Sequence, residues 1–336
     1  MIDKVKIIIG VIAGKGGVGK STVTVSLART YAAEGYKVGI LDGDIYGPSI
    51  RKMLPEDILP AQEGEKIVPA VASSIKVISK TFLRGGDEAA VVRAPIANGL
   101  LLKFIHDVCW DDLDILLIDF PPGTGDIQLT LLQEGRLTGV IIVTTPQEVA
   151  KIDVEKSMQM VSMIGVPLLG VIENMSFYEM SPQKKVYPFG KGGGRSLASI
   201  WDIPLLGEIP LDPHICETLD RGEPIKEKRI VSIFNEIAEK VLEQIRLKII
   251  PLGIKRMDLK DNNTLFIEWS DERSSEIRLN KLQMHCSCAK CAEAKPSPKY
   301  DVEAKKIITL GNYALRIEFT SGCSKGIYSF SLLRKL

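Results

Sequence analysis

The chain has 336 residues, with 43 Lys and Arg against 42 Asp and Glu, a formal net charge of +1, and 45% hydrophobic residues. That balance leaves no electrostatic footprint for nucleic acid or for an anionic membrane surface, and no apolar stretch reaches spanning length. The length exceeds one ordinary domain, so two are expected, the first with a large buried core.

An apolar run at 7–13 reads as the first strand and begins without a basic, apolar, small-residue leader pattern, so a cytoplasmic protein is expected. Residues 14–22, G-K-G-G-V-G-K-S-T, follow it, and a helical pattern covers 20–34. Strand, glycine-rich loop and helix is the context in which G-x-x-x-x-G-K-[ST] cradles phosphates. Backbone N–H groups of Gly16, Gly17, Val18, Gly19, Lys20 and Ser21 can line one nest at a helix N-terminus, where the dipole adds to the attraction, and Gly14 and Lys15 at the start of the loop complete the nucleotide-binding residues. Lys20 then reaches the β and γ phosphates, the Ser21 hydroxyl suits Mg²⁺, and Thr22 touches the α phosphate.

A second run at 38–41 ends in Asp42-Gly43-Asp44, two carboxylates beside the loop. Asp44 is the candidate for orienting an attacking water, and Asp42 for supporting Mg²⁺ or the site's geometry. Further apolar runs lie at 75–78, 115–118, 140–143, 168–172 and 205–209, with helix-length segments such as 152–163 between most of them. Near-continuous runs of this kind are buried on both faces, which predicts an α/β fold with a mainly parallel sheet, helices on both faces and ligands at the strands' C-terminal ends. The run at 115–118 ends in Asp119, placed to hold Mg²⁺ or its water opposite Ser21, and residues 121–126, P-P-G-T-G-D, read as a loop that senses the γ phosphate. The last helix of this unit puts Ile230, Ile233, Phe234, Ile237, Val241, Leu242 and Ile245 on one stripe, which packs it onto the sheet.

Residues 250–253, I-P-L-G, mark a linker, dividing the chain into an ATPase domain over 1–250 and a small β-rich domain over 251–336 with short alternating stretches at 265–269 and 313–319. Four of the six cysteines fall in this second part: Cys286, Cys288 and Cys291 in C-S-C-A-K-C, and Cys323 in a Ser-Gly-Cys turn. Four thiolates can close a tetrahedral site, for zinc or for an iron–sulfur cluster. Cys109 and Cys216 are isolated and read as small buried hydrophobes, and His285 as the neighbour of Cys286 points elsewhere.

The loop at 14–22, D-G-D-I-Y-G-P-S at 42–49, D-F-P-P-G-T-G-D at 119–126 and G-E-I-P-L-D at 207–212 resemble, in order and spacing, the Mrp/ApbC-type iron–sulfur carrier ATPases of the MinD/ParA branch of P-loop proteins. The resemblance covers roughly residues 5–245 and implies a deviant P-loop domain, ATP and Mg²⁺ as cofactors, and a homodimer that transfers clusters to recipient or scaffold proteins. It further implies that Lys15 reaches across the dimer to the partner's nucleotide, that Asn174 hydrogen-bonds adenine, and that Pro210 and Asp212 line the base pocket. The chain departs from that family where a C-P-x-C pair is usual: around Pro182 it has Ser181 and Lys184. Residues 254–336 resemble the small zinc-binding N-terminal domain of gamma-butyrobetaine hydroxylase, with Cys323 where that family commonly has a histidine. The expected function is an ATP-hydrolysing dimer in iron–sulfur cluster assembly or transfer; the alternative is a nucleotide-switched adaptor that recruits a protein partner without carrying a cluster.

Overall fold

A computed structural model describes residues 2–47, 49–82, 94–181, 184–249, 254–270, 272–286, 302–310, 314–320 and 326–336. The chain divides into two units, Met1–Ile245 and Arg246–Leu336. In the first, the strands are β1 (Ile7–Ile12), β2 (Val38–Asp42), β3 (Ala61–Glu63), β4 (Lys66–Val68), β5 (Ala70–Ala72), β6 (Ile75–Ile78), β7 (Ile115–Asp119), β8 (Gly139–Thr144), β9 (Leu168–Glu173), β10 (Tyr178–Ser181), β11 (Lys184–Val186) and β12 (Leu205–Glu208). The helices are α1 (Lys20–Ala33), α2 (Ile50–Met53), α3 (Ala94–His106), α4 (Asp126–Glu134), α5 (Glu148–Ile164), α6 (Gly193–Ile200), α7 (Pro213–Asp220) and α8 (Lys228–Ile249).

The main sheet runs β12-β9-β8-β1-β7-β2-β6-β5, and every pairing in it is parallel except β5 with β6. Parallel strands need crossovers, and the helices that supply them cover both faces. Successive side chains therefore enter opposite cores: Ile9 and Val11 of β1 pack with α1, α7 and α8, while Ile8 and Ile12 pack with α3 to α6. The same alternation divides Ile115 and Leu117 from Leu116 and Ile118 in β7. The sequence pattern missed the antiparallel edge strand β5, whose three residues are too few to set a period, and the hairpins β3–β4 and β10–β11, whose short strands are mostly exposed.

Register positions the site. Val11 and Asp42 both lie opposite Asp119, so the C-terminal ends of three adjacent strands, β1, β7 and β2, converge where the glycine-rich loop begins. The second unit has two antiparallel sheets, β13 (Ile254–Lys260), β14 (Thr264–Trp269) and β15 (Ser274–Arg278), then β16 (Ala304–Leu310), β17 (Ala314–Phe319) and β18 (Gly326–Ser329). Each triplet is followed by a short helix, Leu279–Met284 and Phe330–Lys335. The middle strands repeat Leu-x-Ile-Glu-aromatic, and Leu265, Ile267, Trp269, Leu315, Ile317 and Phe319 all enter one core. Trp269 stacks edge-on against Phe330 at 5.7 Å and donates from Nε1 to Ser275 Oγ at 2.9 Å. Among the described residues, no helix is long and apolar enough to cross a membrane.

Candidate nucleotide site

The loop between β1 and α1 is shaped by two close approaches. A Cβ on Gly14 would lie 2.2 Å from Val154 N and 2.3 Å from Asp153 C, so only glycine lets the loop pass the first turns of α5. Gly19 caps α1 at φ 84°, and a Cβ there would lie 2.1 Å from Asn174 Nδ2. That amide donates to Val18 O at 2.8 Å, bracing the loop from the end of β9. Gly16 and Gly17 are exposed, Val18 is buried, and Thr22 lies half-buried on the first turn of α1. Lys15 is half-buried and, among the described residues, its ammonium pairs with nothing in its own chain.

Asp119 is the hub. Fully buried, it accepts from Lys20 Nζ at 2.9 Å, Ser21 Oγ at 2.6 Å and Thr24 Oγ1 at 3.0 Å. Asp42, 1% exposed on the neighbouring strand, accepts from Ser79 Oγ at 2.8 Å and from Asp44 N at 3.1 Å. Burial, and then the charge of Asp119, raise the Asp42 carboxyl to about 8, against the opposing pull of Ser79 and Lys20. The buried Asp119 carboxylate balances the buried Lys20 ammonium, and Asp42 beside them is a second acid whose proton a divalent cation would displace. The half-buried Asp44 turns its Oδ1 back to Gly47 N at 3.0 Å, inside its own loop.

Thr24 and Ser79 were not singled out from the sequence. Thr24 is one helical turn beyond Lys20 and could have been found by that spacing; Ser79 is brought in from the end of β6, and no local pattern marks it. Asn174 is carried past Ile209 by backbone pairing of the segments after β9 and β12, Ser176 N to Ile209 O at 2.9 Å and Leu211 N to Phe177 O at 2.7 Å. Pro210 and Asp212 line a cavity of about 360 Å³ with Tyr178, Glu179 and His214. Asp212 caps α7 through His214 N at 3.0 Å and pairs with Arg229 at 2.8 Å, and Arg229 also pairs with Glu179.

Ser181 and Lys184 face one another across the β10–β11 hairpin. Cys288, Cys291 and Cys323 lie outside the described residues, while Cys286 is buried just past the helix Leu279–Met284. His285 Nδ1 is engaged with Lys281 O at 2.9 Å. Cys216 is exposed on α7, 3.7 Å from Asp220, and not the buried residue its isolation suggested. Cys109 is half-buried.

Residues 4–246 match the profile of the ParA family described as the NUBPL iron-transfer P-loop NTPase, and residues 257–334 match the gamma-butyrobetaine hydroxylase-like N-terminal domain. The iron-sulfur cluster carrier protein of Salmonella typhimurium is 45% identical over 251 residues, 73% of this chain and 68% of that one. Among solved structures, a nucleotide-binding protein of Archaeoglobus fulgidus in complex with ADP superposes with a TM-score of 0.59 at 39% identity, covering 67% of this chain and 90% of the other. The septum site-determining protein MinD of Pyrococcus horikoshii, complexed with Mg-ADP, shares the fold at 24% identity and a TM-score of 0.53, covering 72% and 98%. With a phosphate loop, paired strand-end carboxylates and these relatives, the chain belongs to the ParA-type NUBPL iron-transfer P-loop NTPases and carries a gamma-butyrobetaine hydroxylase-like N-terminal domain behind its NTPase domain.

Proposed function

We propose that the protein is an ATP-hydrolysing homodimer acting in iron–sulfur cluster assembly or transfer. The observation that carries the nucleotide half of this reading is the Asp119 carboxylate, which joins Lys20 and Ser21 at the end of a central strand. Backbone amides from Gly16 to Ser21 receive the phosphates, and Lys20 exchanges Asp119 for the β and γ phosphate oxygens. Ser21 and Asp119 would hold Mg²⁺, with Asp42 behind them; when bound, the ion neutralises charge on the phosphates. Asp44 leaves Gly47 N to orient the attacking water, and Lys15 reaches the partner protomer's nucleotide. Asn174, Pro210 and Asp212 take the adenine. Cys286, Cys288, Cys291 and Cys323 hold zinc or carry the cluster, which is cargo for a recipient or scaffold protein. The relatives' shared name, iron-sulfur cluster carrier protein, supports the cargo.

One observation favours the adaptor reading: the hairpin pair Ser181 and Lys184 offers a hydroxyl and an ammonium, neither of which ligates iron as a thiolate does at neutral pH. Anaerobic reconstitution with iron and sulfide separates the two. The carrier reading expects both elements bound to the full chain and lost from the Cys286→Ala, Cys288→Ala, Cys291→Ala triple variant; zinc without sulfide would leave the adaptor. For the nucleotide half, Lys20→Ala abolishes ATP binding, whereas Asp44→Ala binds ATP and fails to turn it over.

A further inference from the structure

A cavity of about 150 Å³ opens between α1, the end of α7 with the chain after it, and α8. Leu219, Ile225, Val231 and Phe234 give it an apolar wall, and two residues of α1, Ser26 and Arg29, stand in it. Three residues apart, they share one helix face. Ser26 is 5% exposed, and its buried hydroxyl has no hydrogen-bond partner. Arg29 donates through its terminal nitrogens to three carbonyls, Met53 O at 3.1 Å, Gly222 O at 2.6 Å and Glu223 O, yet its buried Nε has no acceptor.

Arg29, half-buried, meets its three acceptors as neutral carbonyls. Among the described residues no carboxylate pairs with it, and burial pulls its guanidinium below the ordinary value. Two buried groups without partners, Ser26 Oγ and Arg29 Nε, both stand in the cavity, and orphaned donors there mark the place of an absent acceptor. An inorganic anion would meet those donors but leave the apolar wall unfilled; a neutral hydrocarbon would do the reverse. The volume equals that of about five liquid waters, enough for an acid of about four to six carbons.

We propose that this cavity binds a short-chain aliphatic carboxylate, with its oxygens on Arg29 Nε and Ser26 Oγ and its tail among Leu219, Ile225, Val231 and Phe234. A bound acid ties α1, which begins at the phosphate-binding Lys20, to α7 and α8 on the same face of the sheet.

Thermal unfolding of the full chain, at constant pH and ionic strength, tests this with three probes: isovalerate, acetate and isoamyl alcohol. Isovalerate is expected to raise the midpoint saturably, by about 3 °C or more at a hundredfold excess over its Kd. Acetate and the alcohol, each lacking one half of the ligand, should give no more than a fraction of that rise. Ser26→Ala removes a hydroxyl that bonds to nothing in the fold and should weaken isovalerate by about tenfold through the lost hydrogen bond. No rise with isovalerate would overturn the proposal, leaving a hydrated cavity. Equal rises with the alcohol or with acetate would overturn it too, the first as an apolar void and the second as a bare ionic site. Unchanged affinity in the Ser26 variant would remove the assigned headgroup contact.

Discussion

Asp42 holds its proton far above the ordinary carboxylate range because the fold buries it beside Asp119. The unfolded chain would release that proton near 3.8, so between there and about 8 the folded state binds more protons than the unfolded one. This contribution to stability is complete at low pH and is lost as pH rises through the folded value, with a slope of at most about 1.4 kcal/mol per pH unit. Asp42→Asn can keep both partners, accepting from Asp44 N and donating to Ser79 Oγ, without titrating. Thermal melts of the nucleotide-free protein should therefore show a flatter decline from pH 5 to 8 in the variant; an unaltered slope would remove Asp42 from this role. Two glycines of the loop make a sharper contrast. Gly14→Ala drives a Cβ into the backbone of α5 and should cost about 3 kcal/mol or more, whereas at Gly16 a Cβ meets nothing within 4 Å, and stability should change by less than about 0.5 kcal/mol. Chemical denaturation of both variants reads the difference.

At the scale of elements, the seven long apolar runs reappear as β1, β2, β6, β7, β8, β9 and β12, since burial on both faces leaves an unbroken hydrophobic signature. Helix α5 begins at Glu148, four residues before the apolar pattern at 152–163, and its second turn passes Gly14 of the loop through the backbone of Asp153 and Val154. The β10–β11 hairpin was invisible: its residues are mostly exposed, and only long-range pairing makes them strands. That hairpin sets Ser181 opposite Lys184, the two positions at which the family resemblance calls for thiols. A Ser181→Cys, Lys184→Cys variant, kept anaerobic, is expected to bind more iron and sulfide than the wild type after reconstitution, about one additional cluster per dimer. Iron and sulfide assays that show no increase would mean that the hairpin is not at a cluster-bridging interface.

For the whole molecule, the outstanding residue is Lys15, without a partner in its own chain among the described residues. If it acts across a dimer, Lys15→Ala and Lys20→Ala should each be inactive alone but complement on mixing. A mixed dimer retains one working site, with intact Lys20 beneath the nucleotide and intact Lys15 supplied from the other protomer. With half the dimers mixed, ATP turnover should recover to roughly a quarter of the wild-type value; an absence of recovery would assign Lys15 to its own protomer's site. By itself the sequence determined the fold class, because glycine spacing, apolar runs and strand-end acids are local signals whose physics is carried by a few neighbouring residues. It also determined which residue types could meet phosphate and metal. Only the tertiary structure decided that Asp42 and Asp119 stand opposite each other in register, that Ser79 and Thr24 complete their hydrogen bonds, and that Ser26 Oγ and Arg29 Nε stand without partners over an apolar cavity. Those facts depend on strand order and helix packing, which bring together residues far apart in the chain and set the burial that shifts a proton or leaves a donor without an acceptor.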